Sequence, residues 1–474
     1  MTSFKALAKS GAAARALTIA AVLTTGLSGC SIIRAANILD RDTNKSVAAQ
    51  GERIPVLPSD DQLTPSAALK GQDFSLPQPA VMATWPVPGG TPEQSVEHVA
   101  AAPDLRIAWR QSLGITGEGR KHFVTAPPVM ADGKVFAMDG QAGVSAHNAV
   151  TGRRIWQTNV RPRGREDRRD PDAYGGGLAY ANGKVFVTSG YRLIEALDAK
   201  TGRSLWVTRT DAPLHGAPNV ADGRVFTVTL DDQLLGFDAD KGQPLWNYQA
   251  IIEPARLLAA SSPAISGDTV VTGFASGELT ADRAPNGQEV WTYTLSQSNR
   301  NNALSEIRDI SGRPVIYKGD VYAASHAGLF GAVDLRSGQQ RWTLPLSSQS
   351  TPWAAGDVVY VISTNGELVC AARDSGQVYW VQDLNAAPAT NTLTTRGRRR
   401  KAPKAPKKAY WSGPILASNR LIVVSSNGDL RALDPKTGDT VRTIRLGAPA
   451  MQTPIAAGNM LYVVTEKAEL IAIR

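Results

Sequence analysis

From about residue 105 to the end, the chain alternates short apolar runs with polar turns. Lys184-Val185-Phe186-Val187 and Leu461-Tyr462-Val463-Val464 are typical runs, rich in β-branched and aromatic residues. That length and composition predict strands, not helices. Asp132-Gly133, Asn182-Gly183 and Asp222-Gly223 separate such runs. Their positive φ angles suit two-residue hairpins.

The pattern repeats. One copy reads Asn182-Gly183, Lys184 to Val187, Ile194 to Asp198, Thr201-Gly202, Leu205-Trp206. The last turn recurs as Thr151-Gly152, Thr201-Gly202, Lys241-Gly242, Asn286-Gly287, Ser337-Gly338, Ser375-Gly376 and Thr437-Gly438. Tryptophan follows at 156, 206, 246, 291, 342 and 380, and the seventh unit has Val441-Arg442 there. The turn glycines are 50, 40, 45, 51, 38 and 62 residues apart. Each unit therefore has the length of one four-stranded blade. A sheet apolar on both faces must stack on its neighbours, and radial stacking gives a β-propeller. The expectation is an all-β, eight-bladed propeller of four-stranded antiparallel blades over residues 101–474. The eighth unit, from Thr453-Pro454 to Ile473, holds three strands; Leu105 to Trp109 supplies the fourth and closes the ring. An open solenoid would leave these complementary ends unexplained.

The amino-terminal hundred residues read differently. Lys5, Lys9 and Arg15 precede an apolar stretch, Leu17 to Leu27, too short to span a bilayer. It ends in Leu27-Ser28-Gly29-Cys30, which resembles a bacterial lipobox. Residues 1–29 are thus expected as a lipoprotein signal peptide and Cys30 as the acylated residue, a durable membrane anchor. Serine at 31 implies the outer membrane by the enterobacterial sorting pattern. Residues 30–100 are expected as a lipidated, Pro-rich tether, parts of which dock through Trp85 and a few aliphatic residues.

Candidate chemistry is sparse. The histidines are His98, His122, His147, His215 and His326, and none sits at metal-ligand spacing. There is no G-x-S-x-G, P-loop or dinucleotide fingerprint. Two cysteines exclude a disulfide framework, and Cys370 lies in an apolar run. The tryptophans read as packing between blades. Asp198, Asp238, Asp334 and Asp434 read as acceptors for the amides of the following turns. Gly175-Gly176-Gly177 reads as a close backbone approach. No catalytic residue, cofactor or metal is expected.

The "ALDAKTGRSLW" copy at Ala196 to Trp206 resembles the pyrroloquinoline-quinone enzyme repeat. Two families share it. Quinoprotein dehydrogenases carry adjacent cysteines, calcium ligands and a catalytic aspartate, and this chain has no Cys-Cys pair. The chain is more similar to the BamB family, the lipoprotein component of the outer-membrane β-barrel assembly machinery. That resemblance implies a non-enzymatic scaffold on the outer membrane, facing the periplasm. It would bind the barrel-forming subunit and assist insertion of unfolded outer-membrane proteins. The alternatives are a quinoprotein-like oxidoreductase, or a propeller that binds a ligand in its central channel or on its basic loop.

Two adjacent connections between blades are long, 247–262 and 292–313, and on the family pattern they meet the barrel-forming subunit. Ile251, Ile252, Leu257 and Leu258 give the first an apolar character unusual for a solvent-facing loop. Leu257 matches the second leucine of the family's Leu-x-Leu-Arg pattern; Ala255 and Leu258 replace its first leucine and its arginine. Asp309 matches the first of two aspartates, and Ser311 replaces the second. The expected partner-binding residues are Arg256, Leu257, Leu258, Glu306, Arg308 and Asp309.

Charge adds one feature. Arg396, Arg398, Arg399, Arg400, Lys401, Lys404, Lys407 and Lys408 fall within an insertion at 394–410 that has no acid. They account for all but one of the formal net charge of +9. Such a run is a solvated insertion or a contact for anionic headgroups, cell-wall polymer or an acidic partner. Nucleic acid is not expected, because export places the domain outside the cytoplasm.

Overall fold

The turn glycines and the tryptophans that follow them are the two halves of one contact. A Cβ built on Gly202 would stand 2.6 Å from the Trp156 ring, and one on Gly242 would stand 2.4 Å from Trp206. Each turn glycine is seated against the tryptophan of the preceding blade, from Gly152 on Trp109 to Gly438 on Trp380. Positive φ at these turns and the absence of a Cβ make glycine the fitting residue. Except in Trp380, the indole Nε1 then donates to a carbonyl of the same turn, as from Trp109 to Ala149 O (3.2 Å) and Trp291 to Leu335 O (2.8 Å). Asp198 accepts the amides of Lys200 and Thr201 at 3.1 and 2.8 Å. Asp238, Asp334 and Asp434 do the same in their own turns.

In the computed structural model the described residues are 63–114, 126–162, 173–253, 257, 261–295, 307–386 and 408–474. They form eight four-stranded antiparallel sheets. Seven are continuous, at 129–159, 176–209, 219–249, 264–294, 315–345, 353–383 and 411–445. The eighth joins Ile455–Ala457, Met460–Thr465 and Glu469–Ile473 to Ile107–Ser112, so the ring closes as the ends of the repeat imply. Inner strands are buried on both faces, because they are pressed between blades near the axis. Outer strands alternate exposed and half-buried, as in Ser204–Arg209.

The closing strand copies the others in detail. In blade 1 Trp156 faces Ala146, and a bulge follows before Arg154 faces His147. In blade 8 Trp109 faces Ala472, and the same bulge precedes Ile107 facing Ile473. Blade 7 puts Arg442 opposite Ala432 in the tryptophan's place. Arg442 Nη1 donates to Asp104 O at 2.8 Å, so a guanidinium reaches the junction of the two chain ends as an indole does elsewhere.

Residues 63–105 lie across one end of the ring. Antiparallel order puts the turns after the inner strands, and the glycine turns, on that end. The segment bonds to every blade. Trp85 and Met130 exchange backbone bonds at 2.6 and 2.8 Å. Tyr180 N donates to Pro86 O and Ile316 N to Glu93 O. Pro92 O accepts from Ile265 N and Asn219 Nδ2. Trp353 Nε1 donates to Glu97 O, Val99 N to Leu416 O, and Gly458 N to Met82 O. Trp85 is 1% exposed, stacks on Trp353 at 6.4 Å, and donates to Pro88 O. The prolines suit this role: the segment needs few amides, because it mostly offers carbonyls to the blades.

Candidate functional site

Among the described residues the other end of the ring is open. There the connections from each outer strand to the next inner strand surround a channel mouth of about 350 Å³. Pro88, from the segment across the far end, is among the lining residues, so the channel is blind. Residues just before or at the start of the inner strands line it, among them Ala217, Ser262, Thr351, Gly413 and Thr453. All of these precede proline in the repeat.

The two long connections between blades rise at this end. Ile251 and Ile252 are 65% and 57% exposed, as the first connection leaves its outer strand. Ile251 N is held by the Glu278 carboxylate at 3.0 Å. The connections meet where Leu257 N donates to Asp309 Oδ2 at 3.1 Å. Asp309 is 2% exposed, and its carbonyl also accepts from His326 N. It is therefore a brace between the loops, and Arg308 is the charge that faces solvent. Leu257 is half-buried. Arg256, Leu258 and Glu306 lie outside the described residues, as do Cys30 and the lipobox.

The basic insertion also leaves from this end. Asn385 grips its base: Nδ2 donates to Ala409 O at 3.2 Å, and Oδ1 accepts Ala409 N and Trp411 Nε1 at 3.0 and 3.1 Å. Lys408 is exposed; Arg396, Arg398, Arg399, Arg400, Lys401, Lys404 and Lys407 lie outside the described residues. Asn385 is not recognisable as a clamp from the chain alone, because its partner is across an insertion of irregular length.

Titratable groups inside the described structure serve the scaffold. His98 donates from Nδ1 to Pro77 O and accepts Asn419 N at Nε2, so it is neutral; burial lowers its pKa. His147 is buried between Gly152 O and Ser145 Oγ, with its pKa lowered chiefly by burial. Burial pushes the Cys370 thiol well up, which keeps it a packed, unreactive group. The Gly176 and Gly177 backbone lies against Thr188 and Ala217, where a Cβ would clash. Among the described residues no cluster of three or more His, Cys, Asp or Glu gathers at metal-binding distance. Asp282 stands apart. It is fully buried, holds only the Thr280 hydroxyl, and has its pKa raised to about 7 chiefly by burial.

The architecture defines a class: a closed eight-bladed propeller of the tryptophan-repeat type, sealed at one end and loop-bearing at the other. The family described as "Outer membrane protein assembly factor BamB" matches residues 141–382 and 394–474, and the chain belongs to that family. The assembly factor BamB of Salmonella typhimurium is 26% identical over 77% of this chain and 88% of its own length. The Escherichia coli protein of that name is 26% identical over 75% of this chain and 85% of its own. The crystal structure of BamB from Moraxella catarrhalis superposes with a TM-score of 0.63 at 19% identity, covering 78% of this chain and 99% of that one. A europium-containing methanol dehydrogenase gives a TM-score of 0.62 at 15% identity, over 81% and 89%. Likeness at these identities shows the fold alone.

Proposed function

We propose that this chain is a non-enzymatic scaffold lipoprotein of the machinery that inserts β-barrel proteins into the outer membrane. It is anchored through acyl chains on Cys30 and faces the periplasm. It binds a periplasmic domain of the barrel-forming subunit and helps present unfolded outer-membrane proteins. Family membership carries this reading, since relatives named as assembly factors align along most of the chain. The open end supports it. Exposed Ile251 and Ile252 form an apolar edge beside the charged Arg308, on loops braced by Asp309. Interfaces of this kind combine an apolar centre with a polar rim.

Asp309 is buried, so changing it alters the loops as well as any contact. The cleaner test leaves it intact. Tagged protein is captured from detergent-solubilised membranes of its own bacterium, as wild type and as Ile251→Asp plus Ile252→Asp plus Arg308→Glu. Co-capture of the barrel-forming subunit with wild type, and its loss with the triple variant, is expected. Capture by both relocates the site. Capture by neither ends the scaffold reading.

A further inference from the structure

The residue before the blade-opening proline occupies one repeat position around the channel. It is Ala217, Ser262, Thr351, Gly413 and Thr453 in five blades, Pro127 in the first blade, which opens on two prolines, and Arg313 in the fifth blade. One cation therefore stands in a ring of small residues. The Arg313 side chain makes no ion pair among the described residues, and its Nε is buried without a hydrogen-bond partner. Other enclosed arginines are compensated: Arg373 lies 3.6 Å from Asp320, and Arg431 donates to Leu384 O while resting on the Trp411 ring. The only influence resolved on the Arg313 pKa is burial, which lowers it to about 10, so it stays charged at neutral pH.

Arg313 lines both the channel and a smaller space of about 10 Å³ beneath it, against Trp85 and Gln94. That space has room for about one water, and the unpartnered Gln94 Oε1 opens on it. Above, the channel offers a second donor without a partner. Ser311 Oγ is buried, unbonded among the described residues, and two positions from Arg313 on the same wall. A guanidinium and a hydroxyl facing a blind polar cavity, with no carboxylate to neutralise them, fit an oxyanion. About 350 Å³ suits a small ligand.

We propose that the open end of the central channel is a binding site for a small oxyanion, a carboxylate or phosphate, held by Arg313 and Ser311. Its two residues end the second long connection, 292–313, where that connection reaches the channel, and they are not Ile251, Ile252 or Arg308, on which the scaffold reading is tested. Arg313 supplies the charge and its planar fork; Ser311 supplies a directed hydroxyl. The wall of small residues leaves the space that a side chain in the same position would fill.

Titration calorimetry of the full chain in non-ionic detergent tests this, with inorganic phosphate and succinate as separate probes at fixed ionic strength. Saturable binding of one anion per chain is expected for at least one probe, and which probe binds assigns phosphate or carboxylate. Arg313→Gln should weaken it by roughly tenfold or more, and Ser311→Ala by about threefold to tenfold. Arg313→Lys should bind between wild type and Gln. Urea midpoints report whether each variant is folded. If Arg313→Gln does not fold, Ser311→Ala and Arg313→Lys decide. The proposal is overturned if neither probe saturates wild type, or if the folded variants bind as wild type does.

Discussion

The two ends of the propeller are finished in opposite ways. At one end, residues 63–105 bond to all eight blades and bury Trp85, Val87 and Val99. At the other, connections of unequal length leave Ile251, Ile252 and Tyr410 exposed around an open channel. The same repeat builds both ends. What differs among the described residues is what covers them: a carbonyl-rich, proline-rich segment on one, and no such segment on the other. The lesson is that a radial repeat leaves two unequal surfaces free to diverge. One here is bonded to every blade, and the other carries the long connections on which the proposed function rests.

The sharpest way to break that comparison is to remove the anchor of the sealed end. Trp85→Ala empties a fully buried site and should cost about 3–5 kcal/mol in urea unfolding. A cost under about 1 kcal/mol would mean that the segment merely rests on the blades. Asp282 comes next, near the glycine-turn end of blade 4. Its pKa of about 7, against an ordinary 3.8, means that the folded protein holds this proton more tightly than the unfolded chain. Stability should therefore fall as pH rises from about 4 to about 7, and level off above. Glu289 and Tyr248 are the titrating neighbours. Asp282→Asn should flatten that fall and raise stability at pH 8 by on the order of 2 kcal/mol. Unchanged pH profiles in denaturant melts would refute the assignment.

The open end should respond less. Asn385→Ala frees the base of the basic insertion and strands Ala409 backbone groups, a loss of about 1–2 kcal/mol. Faster proteolysis confined to the insertion would show the clamp directly. Ile251→Asp with Ile252→Asp should move stability by less than about 0.5 kcal/mol, since both side chains already face water. A larger loss in thermal melts would show that this edge packs on the propeller.

Much of this was legible in the chain. The tryptophan-and-glycine spacing carried the blade number and the closing pair of ends, because each depends on residues at fixed separations; that Trp156 packs on Gly202 is visible only in the fold. The candidate site was legible only as loops. The spacing marked 247–262 and 292–313 as long, but not that Asp309 turns inward to hold Leu257 N. In the chain Arg313 is one arginine among many. Its position is unusual only when blades are aligned around an axis.

The sequence by itself determined the strands, their turns, their number and the closure of the ring, since local turn chemistry and repeated apolar faces leave one way to bury the blades. The tertiary structure alone decided the rest. Composition describes residues 63–105 as Pro-rich and extended. Only the ring of inner strands, each offering a donor or acceptor at its end, makes that extended chain a seal. Which carboxylate is buried, and which arginine stands alone, follow from neighbours distant along the chain.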